Sequence, residues 1–346
     1  MAKGSLLARW SVRTRIYAGF VMVLLLLALT ALTGVLGLKE TATDFEKYAS
    51  VSSNAVRVVA IDRLITGLRR NVLLYTEKND SKALERLAEI RKNLGSMLDE
   101  AIRATSDPER RGNLKRMAEL QQAYGANIDQ VVPLQQKQME LQNMVTERGI
   151  RLRKLVSDLV RVAMADNDME TAAQVGLVQE VLMLGRISAA RYVADPTEKS
   201  ATEGQTRLTE FAAMLETLSK GLKDEKRLVL AREAGELAPR LITEFKALVE
   251  NRQKIDQLVT GVMAQEATEI AKLADSTSRS QQNALVALKD SSTNEIESGI
   301  TNAVALSAGA FLLGLFLAWL IAGSIVKPVV AMTEAMTRLA GGDKGT

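Results

Sequence analysis

Two long uncharged segments lie near opposite ends of this 346-residue chain, Ile16 to Leu38 and Ser298 to Val326. Each is longer than the roughly 20 residues that an α-helix needs to cross the hydrocarbon core of a bilayer. Peptide groups inside a bilayer must bond to one another, so such segments are expected to be helical. The chain is therefore predicted to be anchored in a membrane twice, with everything between the anchors on one side.

The charges beside these segments predict which side that is. Basic residues lie outside both of them, at Lys3, Arg9, Arg13, Arg15, Lys327 and Arg338. By the positive-inside rule, both termini are predicted to be cytoplasmic and residues 39–300 to be exported. The predicted domains are a cytoplasmic terminus 1–15, a transmembrane helix 16–38, the exported domain 39–300, a second transmembrane helix 301–326 and a cytoplasmic segment 327–346. A cleaved signal peptide is the alternative for the first segment, but its apolar stretch is longer than usual and lacks a clear A-x-A site.

The composition favours long helices and excludes several kinds of active site. Aromatic residues make up only 4% of the chain, and it contains five prolines. It has no cysteine and no histidine, so disulfides, His/Cys metal clusters and a histidine general base are excluded. We find no nucleophile–base pair and no glycine-rich phosphate loop, so we expect no enzyme, no cofactor and no metal site. The net charge of +4 comes without a nucleic-acid-binding motif, so no nucleic-acid partner is expected.

Turn signals divide the exported segment into six predicted helices. Two of these signals, Asp107-Pro108 and Asp195-Pro196-Thr197, combine polar capping residues with a proline. The predicted helices span residues 39–78, 81–105, 107–166, 168–194, 197–220 and 222–300.

The lengths of these helices predict a fold. At about 1.5 Å per residue, their alternating rises and descents return the chain to within roughly 10 Å of the membrane. Helices one, two, three and six overlap in height near the membrane, and helices three to six overlap farther out. We therefore predict an all-α protein in which two stacked antiparallel four-helix bundles share two long helices and are flanked by two transmembrane helices.

A weak internal repeat agrees with two similar bundles. A shift of 117 residues aligns Arg69 and Tyr75 with Arg186 and Tyr192. Chance alignment of amphipathic helices is the alternative explanation.

The C-terminal segment resembles the first helix of a HAMP signalling module. Pro328 follows the second apolar segment, and Gly342-Asp343 closes the helix. Between them, apolar residues recur at a/d-like spacing, at Val329, Met332, Met336 and Leu339. Together with two spans and a long helical exported segment, this resembles a bacterial transmembrane methyl-accepting chemotaxis receptor with a helical bimodular sensor domain.

The resemblance implies how the chain would work. It implies a homodimer in the bacterial inner membrane, with a periplasmic ligand-binding domain and signal transmission through Pro328 and the four apolar positions. It further implies a second HAMP helix and an output region beyond Thr346 that contacts cytoplasmic signalling proteins. Sensor histidine kinases share the same front half, so the type of output stays open.

Arginine is the residue type expected to bind a small organic anion, because a guanidinium matches a carboxylate with two hydrogen bonds. Arg63 and Arg70 share a helix face distinct from the apolar stripe that contains Ile61, and Arg69 flanks that stripe. In the receptors that this chain resembles, arginines on the first exported helix bind dicarboxylates or amino acids, often across the dimer interface.

Predicted helix four contains a second set of candidate ligand-binding residues, because a buried arginine beside a tyrosine hydroxyl would suit a short carboxylate. The predicted ligand-binding residues are Arg63, Arg69, Arg70, Tyr75, Arg186, Arg191 and Tyr192. The alternative is an ordinary ion pair for each arginine and core packing for each tyrosine.

We therefore predict a transmembrane chemoreceptor for a small carboxylate or amino acid. One alternative is a sensor histidine kinase with the same input domain. Another is a structural spacer or a receptor for a periplasmic binding protein, which would be favoured if Arg63, Arg70 and Arg186 were exposed to solvent.

Overall fold

The computed structural model describes residues 11–340 and contains, within this range, seven α-helices, one π-helical segment and no β-strand. The helices are α1 (Val12–Lys78), α2 (Lys82–Ala104), α3 (Pro108–Ala165), α4 (Met169–Ala194), α5 (Glu198–Gly221), α6 (Glu225–Asp256), the π segment (Gln257–Val262) and α7 (Met263–Ala340). The predicted all-α class is confirmed, and the predicted ends of helices two to five agree closely with the observed ones.

The predicted sixth helix, 222–300, requires a correction. It begins only at Glu225, because the side chain of Asp224 caps it by accepting a hydrogen bond from the amide of Arg227 at 2.9 Å. The π segment then interrupts it, although the apolar spacing had predicted one continuous α-helix. Both α1 and α7 continue without a break through the predicted membrane boundaries at residues 38 and 301.

Side-chain caps explain why α3, α4 and α5 begin where the turn signals predicted. Asp107 accepts a hydrogen bond from the amide of Arg110 at 2.8 Å, and Asp168 accepts one from the amide of Thr171 at 3.0 Å. Thr197 forms a reciprocal capping box at the start of α5. These contacts satisfy amide groups that have no partner inside the helix.

The chain divides into two compact units. One consists of Met1–Val56 with Ser278–Thr346, and the other is Arg57–Thr277. The first unit contains the apolar windows of α1 and α7, and none of either window is buried within the protein. Helices this long and apolar fit a protein that spans a membrane twice.

The second unit, Arg57–Thr277, contains two separate hydrophobic cores. The first bundle combines the end of α1, α2, the start of α3 and the start of α7. The second bundle combines the rest of α3 with α4, α5 and α6. Their largest fully buried side chains are Ile61, Leu68, Leu94, Leu98, Leu114 and Met117 in the first bundle, and Leu152, Leu159, Leu182, Leu208, Phe211 and Phe245 in the second. Both bundles use α3 and the continuous α6–π–α7 rod, so the predicted pair of four-helix bundles with two shared helices is confirmed.

Candidate ligand-binding site

In the second bundle, Arg186 of α4 lies against Gly149 of α3. A β-carbon placed on Gly149 would lie 3.1 Å from Nε of Arg186 and 3.4 Å from its Cδ. Because Gly149 has no side chain, there is room for Arg186 between the two helices. The guanidinium Nη1 donates to Sδ of Met183 at 3.6 Å, which is a weak acceptor for a charged donor.

The charge of Arg186 lies in an unfavourable environment. Burial lowers the pKa of Arg186, and the like charge of Arg153 lowers it further. No carboxylate within residues 11–340 forms an ion pair with Arg186. By contrast, Arg148, the residue directly before Gly149 on α3, binds both carboxylate oxygens of Glu244 at 2.6 and 2.5 Å. A bound anion would supply the counter-charge that Arg186 lacks.

The sequence explains why α4 places an arginine there. Val175, Val178, Leu182 and Ala189 form the buried stripe of α4 that faces the second core. Arg186 follows Leu182 by one turn, so its stem lies at the border of this stripe while its guanidinium reaches the α3–α4 boundary.

Arg63 lies in a separate place, at an open groove between α1 and α2 in the first bundle. The groove has a volume of about 510 Å³, and its lining comprises Ala60, Arg63, Leu64, Asn93, Ser96, Met97 and Glu100. Arg63 is exposed, and Glu100 on the opposite wall lies 3.7 Å from Nε of Arg57. The groove therefore offers one cation beside a carboxylate that already has a partner.

The other predicted arginines are on the surface of the chain. Arg69 and Arg70 are exposed, and Arg69 is close enough to the buried Tyr124 for its positive charge to influence the pKa of that phenol. Arg191 is exposed and lies 3.5 Å from a carboxylate oxygen of Glu203 on α5. An anion would have to compete with Glu203 for Arg191.

The two predicted tyrosines are buried near the ends of their helices. Tyr75 is 5% exposed, and its hydroxyl donates to the carbonyl oxygen of Val132 at 3.4 Å. Tyr192 is 3% exposed and packs edge-to-face on Phe245, with ring centroids 5.8 Å apart. Arg186 and Tyr192 are six residues apart on α4, so at about 100° per residue their side chains leave the helix on different sides.

The predicted signal-transmitting residues lie on α7. The helix continues through Pro328, and the side chains of Val329, Met332 and Met336 are exposed in the single chain. The side chain of Leu339 and residues 341–343 lie outside the described part of the protein.

Sequence reasoning missed two residues at the Arg186 site, Gly149 and Arg153. Gly149 is a buried glycine inside a long helix, which usually marks close approach of another group. That signal was available, but only the tertiary structure identifies the group as Arg186.

No protein-family model matches this sequence, and no curated protein matches it. Among solved structures, the chain is similar to the crystal structure of the TorS sensor domain–TorT complex in the presence of TMAO. The identity is 12%, the alignment covers 66% of this chain and 99% of that chain, and the TM-score is 0.39. A similarity at this identity and TM-score supports no inference about ligands or partners of this chain.

Proposed function

We propose that this chain is the sensing and membrane-spanning part of a bacterial receptor of the methyl-accepting chemotaxis type, and that it binds a small organic anion in the second bundle. The observation that carries this proposal is Arg186, a partly buried guanidinium with a lowered pKa and no carboxylate partner among the described residues. A small carboxylate is the ligand class that best matches it, since it would offset both the burial and the charge of Arg153.

The proposed site lies on a helix that both bundles share. A ligand between α3 and α4 contacts α3, which runs on into the first core. Binding changes the conformational equilibrium only to the extent that the ligand favours one arrangement of these helices. In the proposed homodimer, a change in the bundles is passed along α7 to the exposed apolar positions Val329, Met332 and Met336, which a partner helix would cover.

Calorimetry on the full chain in detergent micelles tests the proposal, with acetate, malate, citrate and glutamate as probes. Arg186→Gln removes the charge-assisted hydrogen bonds, which contribute about 1.5–3 kcal/mol, so affinity should fall about 10- to 100-fold. If none of the four probes binds, or if Arg186→Gln leaves the affinity unchanged, the proposal is wrong.

A matched pair of glycine substitutions in α3 separates the site from general effects on the helix. Gly149→Ala places a β-carbon 3.1 Å from Nε of Arg186, whereas a β-carbon at Gly112 has nothing within 4 Å. We expect Gly149→Ala to weaken anion binding and Gly112→Ala to leave it unchanged. Equal effects of the two substitutions would remove the support for a site at Gly149.

Recognition of a periplasmic binding protein is a second candidate, favoured by the exposure of Arg63 and Arg70. It predicts that Arg63→Glu and Arg70→Glu together abolish the cellular response, while direct binding of small carboxylates is absent. A histidine kinase output is the further alternative, which a phosphoacceptor histidine and an ATP-binding domain after residue 346 would establish.

A further inference from the structure

Between the two hydrophobic cores lies a layer of buried polar side chains, which we call the joint. Gln135 and Gln138 of α3 and Asn251 of α6 are 2%, 4% and 5% exposed. Nδ2 of Asn251 donates to the carbonyl oxygen of Leu134 and to Oε1 of Gln138, both at 2.8 Å. Gln135 donates to the side chain of Asn79 in the α1–α2 turn. These amides occupy positions where the apolar stripe of each helix would otherwise continue.

An ion-pair node completes the joint. Arg252 has a side chain only 13% exposed, and its Nη2 lies 2.5 Å from Oε1 of Glu77 in the last turn of α1. Its Nε lies 2.9 Å from Oδ1 of Asp256, the last residue of α6. In the second bundle, burial raises the pKa of Tyr192 to about 12, and the charges of the node also act on this phenol, since Asp256 raises its pKa and Arg252 lowers it. Arg252 is therefore linked to Glu77 of the first bundle by an ion pair, and the charges of Arg252 and Asp256 also act on Tyr192 of the second bundle.

The π segment begins immediately after this node. The amide of Met263 donates to the carbonyl oxygen of Leu258, five residues earlier. The hydroxyl of Thr260 donates to the carbonyl oxygen of Asp256 at 2.7 Å. Single π turns within α-helices are uncommon and occur frequently at functional sites.

The spacing of buried residues shows what the π segment does. Five successive buried positions, Asn251, Ile255, Val259, Met263 and Ala267, are each four residues apart. In an ideal α-helix each such step drifts by about 40° around the axis, which gives about 160° over the whole stretch. The π segment accommodates one extra residue in its wider turn, which reduces this drift by about 100° and keeps these positions on a common face.

We infer that the joint is a conformational switch: the π segment can take up or release one residue of helical register between α6 and α7, and the polar layer together with the ion-pair node holds the observed register. Release of that residue turns α7 by about 100° and shifts it by about 1.5 Å relative to α6. The helix that turns is the one that contains the second apolar segment. This inference does not depend on which ligand, if any, binds at Arg186.

Deletion of Gly261 tests the inference, because it removes the extra residue without removing a side chain. A β-carbon at Gly261 has nothing within 4 Å, and the same is true of Gly235 in α6, the control. Without Gly261, a regular α-helix keeps both cores in phase. Without Gly235, the part of α6 before it is rotated by about 100° relative to the second core, and no π turn compensates for this rotation.

The measurement is amide hydrogen–deuterium exchange by mass spectrometry on the full chain in detergent micelles. In the wild type, peptides covering the π segment should exchange faster than peptides from either core. Deletion of Gly261 should slow exchange of the π segment about tenfold or more and leave both cores protected, whereas deletion of Gly235 should remove protection from the second bundle. Loss of protection in the first bundle upon deletion of Gly261, or unchanged exchange of the π segment, would overturn the inference.

A second pair of variants tests whether the ion-pair node holds the register. Arg252→Met breaks the contacts with Glu77 and Asp256, and Arg240→Met on the exposed face of α6 is the control. We expect faster exchange of the π segment only in Arg252→Met. Unchanged or slower exchange in Arg252→Met would show that the node does not restrain the π segment.

Discussion

Gly204 of α5 is the position where one added methyl group should affect the second core most clearly. A β-carbon there would lie 2.6 Å from Cζ and 2.8 Å from Cε1 of Phe245. Carbon atoms prefer separations of about 3.5–4.0 Å, so the ring would have to move by about 1 Å. Phe245 is fully buried, and Tyr192 packs against its ring, so there is little space for this movement.

The size of the effect follows from two opposing terms. Overpacking a well-packed core costs about 1–3 kcal/mol. Replacing a helical glycine by alanine contributes about 1 kcal/mol in the opposite direction. Gly176→Ala in α4 has only this second term, because a β-carbon at Gly176 has nothing within 4 Å. We therefore expect Gly204→Ala to be less stable than Gly176→Ala by about 1–3 kcal/mol.

Thermal unfolding of the full chain in detergent micelles, followed by circular dichroism at a helical wavelength, measures this difference. At about 2–4 °C per kcal/mol for a domain of this size, the two Tm values should differ by about 2–12 °C. Gly204→Ala should lower Tm less in a Phe245→Leu background than in the wild type, because the smaller side chain leaves room for the methyl group. Equal Tm values for the two glycine variants would refute the packing reasoning.

Two carboxylates outside the cores should give opposite pH effects. The pKa of Asp168 is lowered to about 2 by the amide of Thr171 and by the guanidinium of Arg227, so its stabilising contribution is present above pH 3.8 and lost as the pH falls through 2. Asp168→Asn should therefore lower Tm at pH 7, and this decrease should become smaller as the pH falls from 3.8 to about 2. A decrease that is the same at every pH would contradict this account. Burial raises the pKa of Glu266 despite hydrogen bonds from Asn127, so the ionised carboxylate opposes folding at pH values above that raised pKa. Glu266→Gln should raise Tm at pH 7 and give a smaller gain in acid; a lower Tm at pH 7 would disprove the assignment.

The architecture could be predicted because it follows from local and additive properties of the sequence. Helix starts depend on a few neighbouring residues, as at Asp107 and Thr197, whose caps the structure confirms. The arrangement into two bundles follows from helix lengths, because each residue adds a fixed rise. The apolar stripe around Ile61 predicted the core face of α1 correctly, since its spacing alone determines which side chains share a face.

The candidate site and the joint depended on contacts between residues far apart in the sequence. The sequence shows that Arg186 is a cation, but only the packing of α4 on α3 gives it Gly149 as a neighbour and leaves it without a carboxylate among the described residues. The sequence places Tyr192 on the same helix as Arg186, but only the tertiary structure shows that its ring packs on Phe245 of α6.

Amino-acid sequence alone thus determined that this chain is helical, where the capped helices α3, α4 and α5 begin, and that two segments are apolar enough to span a membrane. Tertiary structure decided which charges are neutralised, which amides are buried between the cores, and where α6 passes into a π turn. The physical reason is that helical periodicity and capping act over a few residues. Desolvation, ion pairing and helical register between two cores depend instead on residues that folding alone brings together.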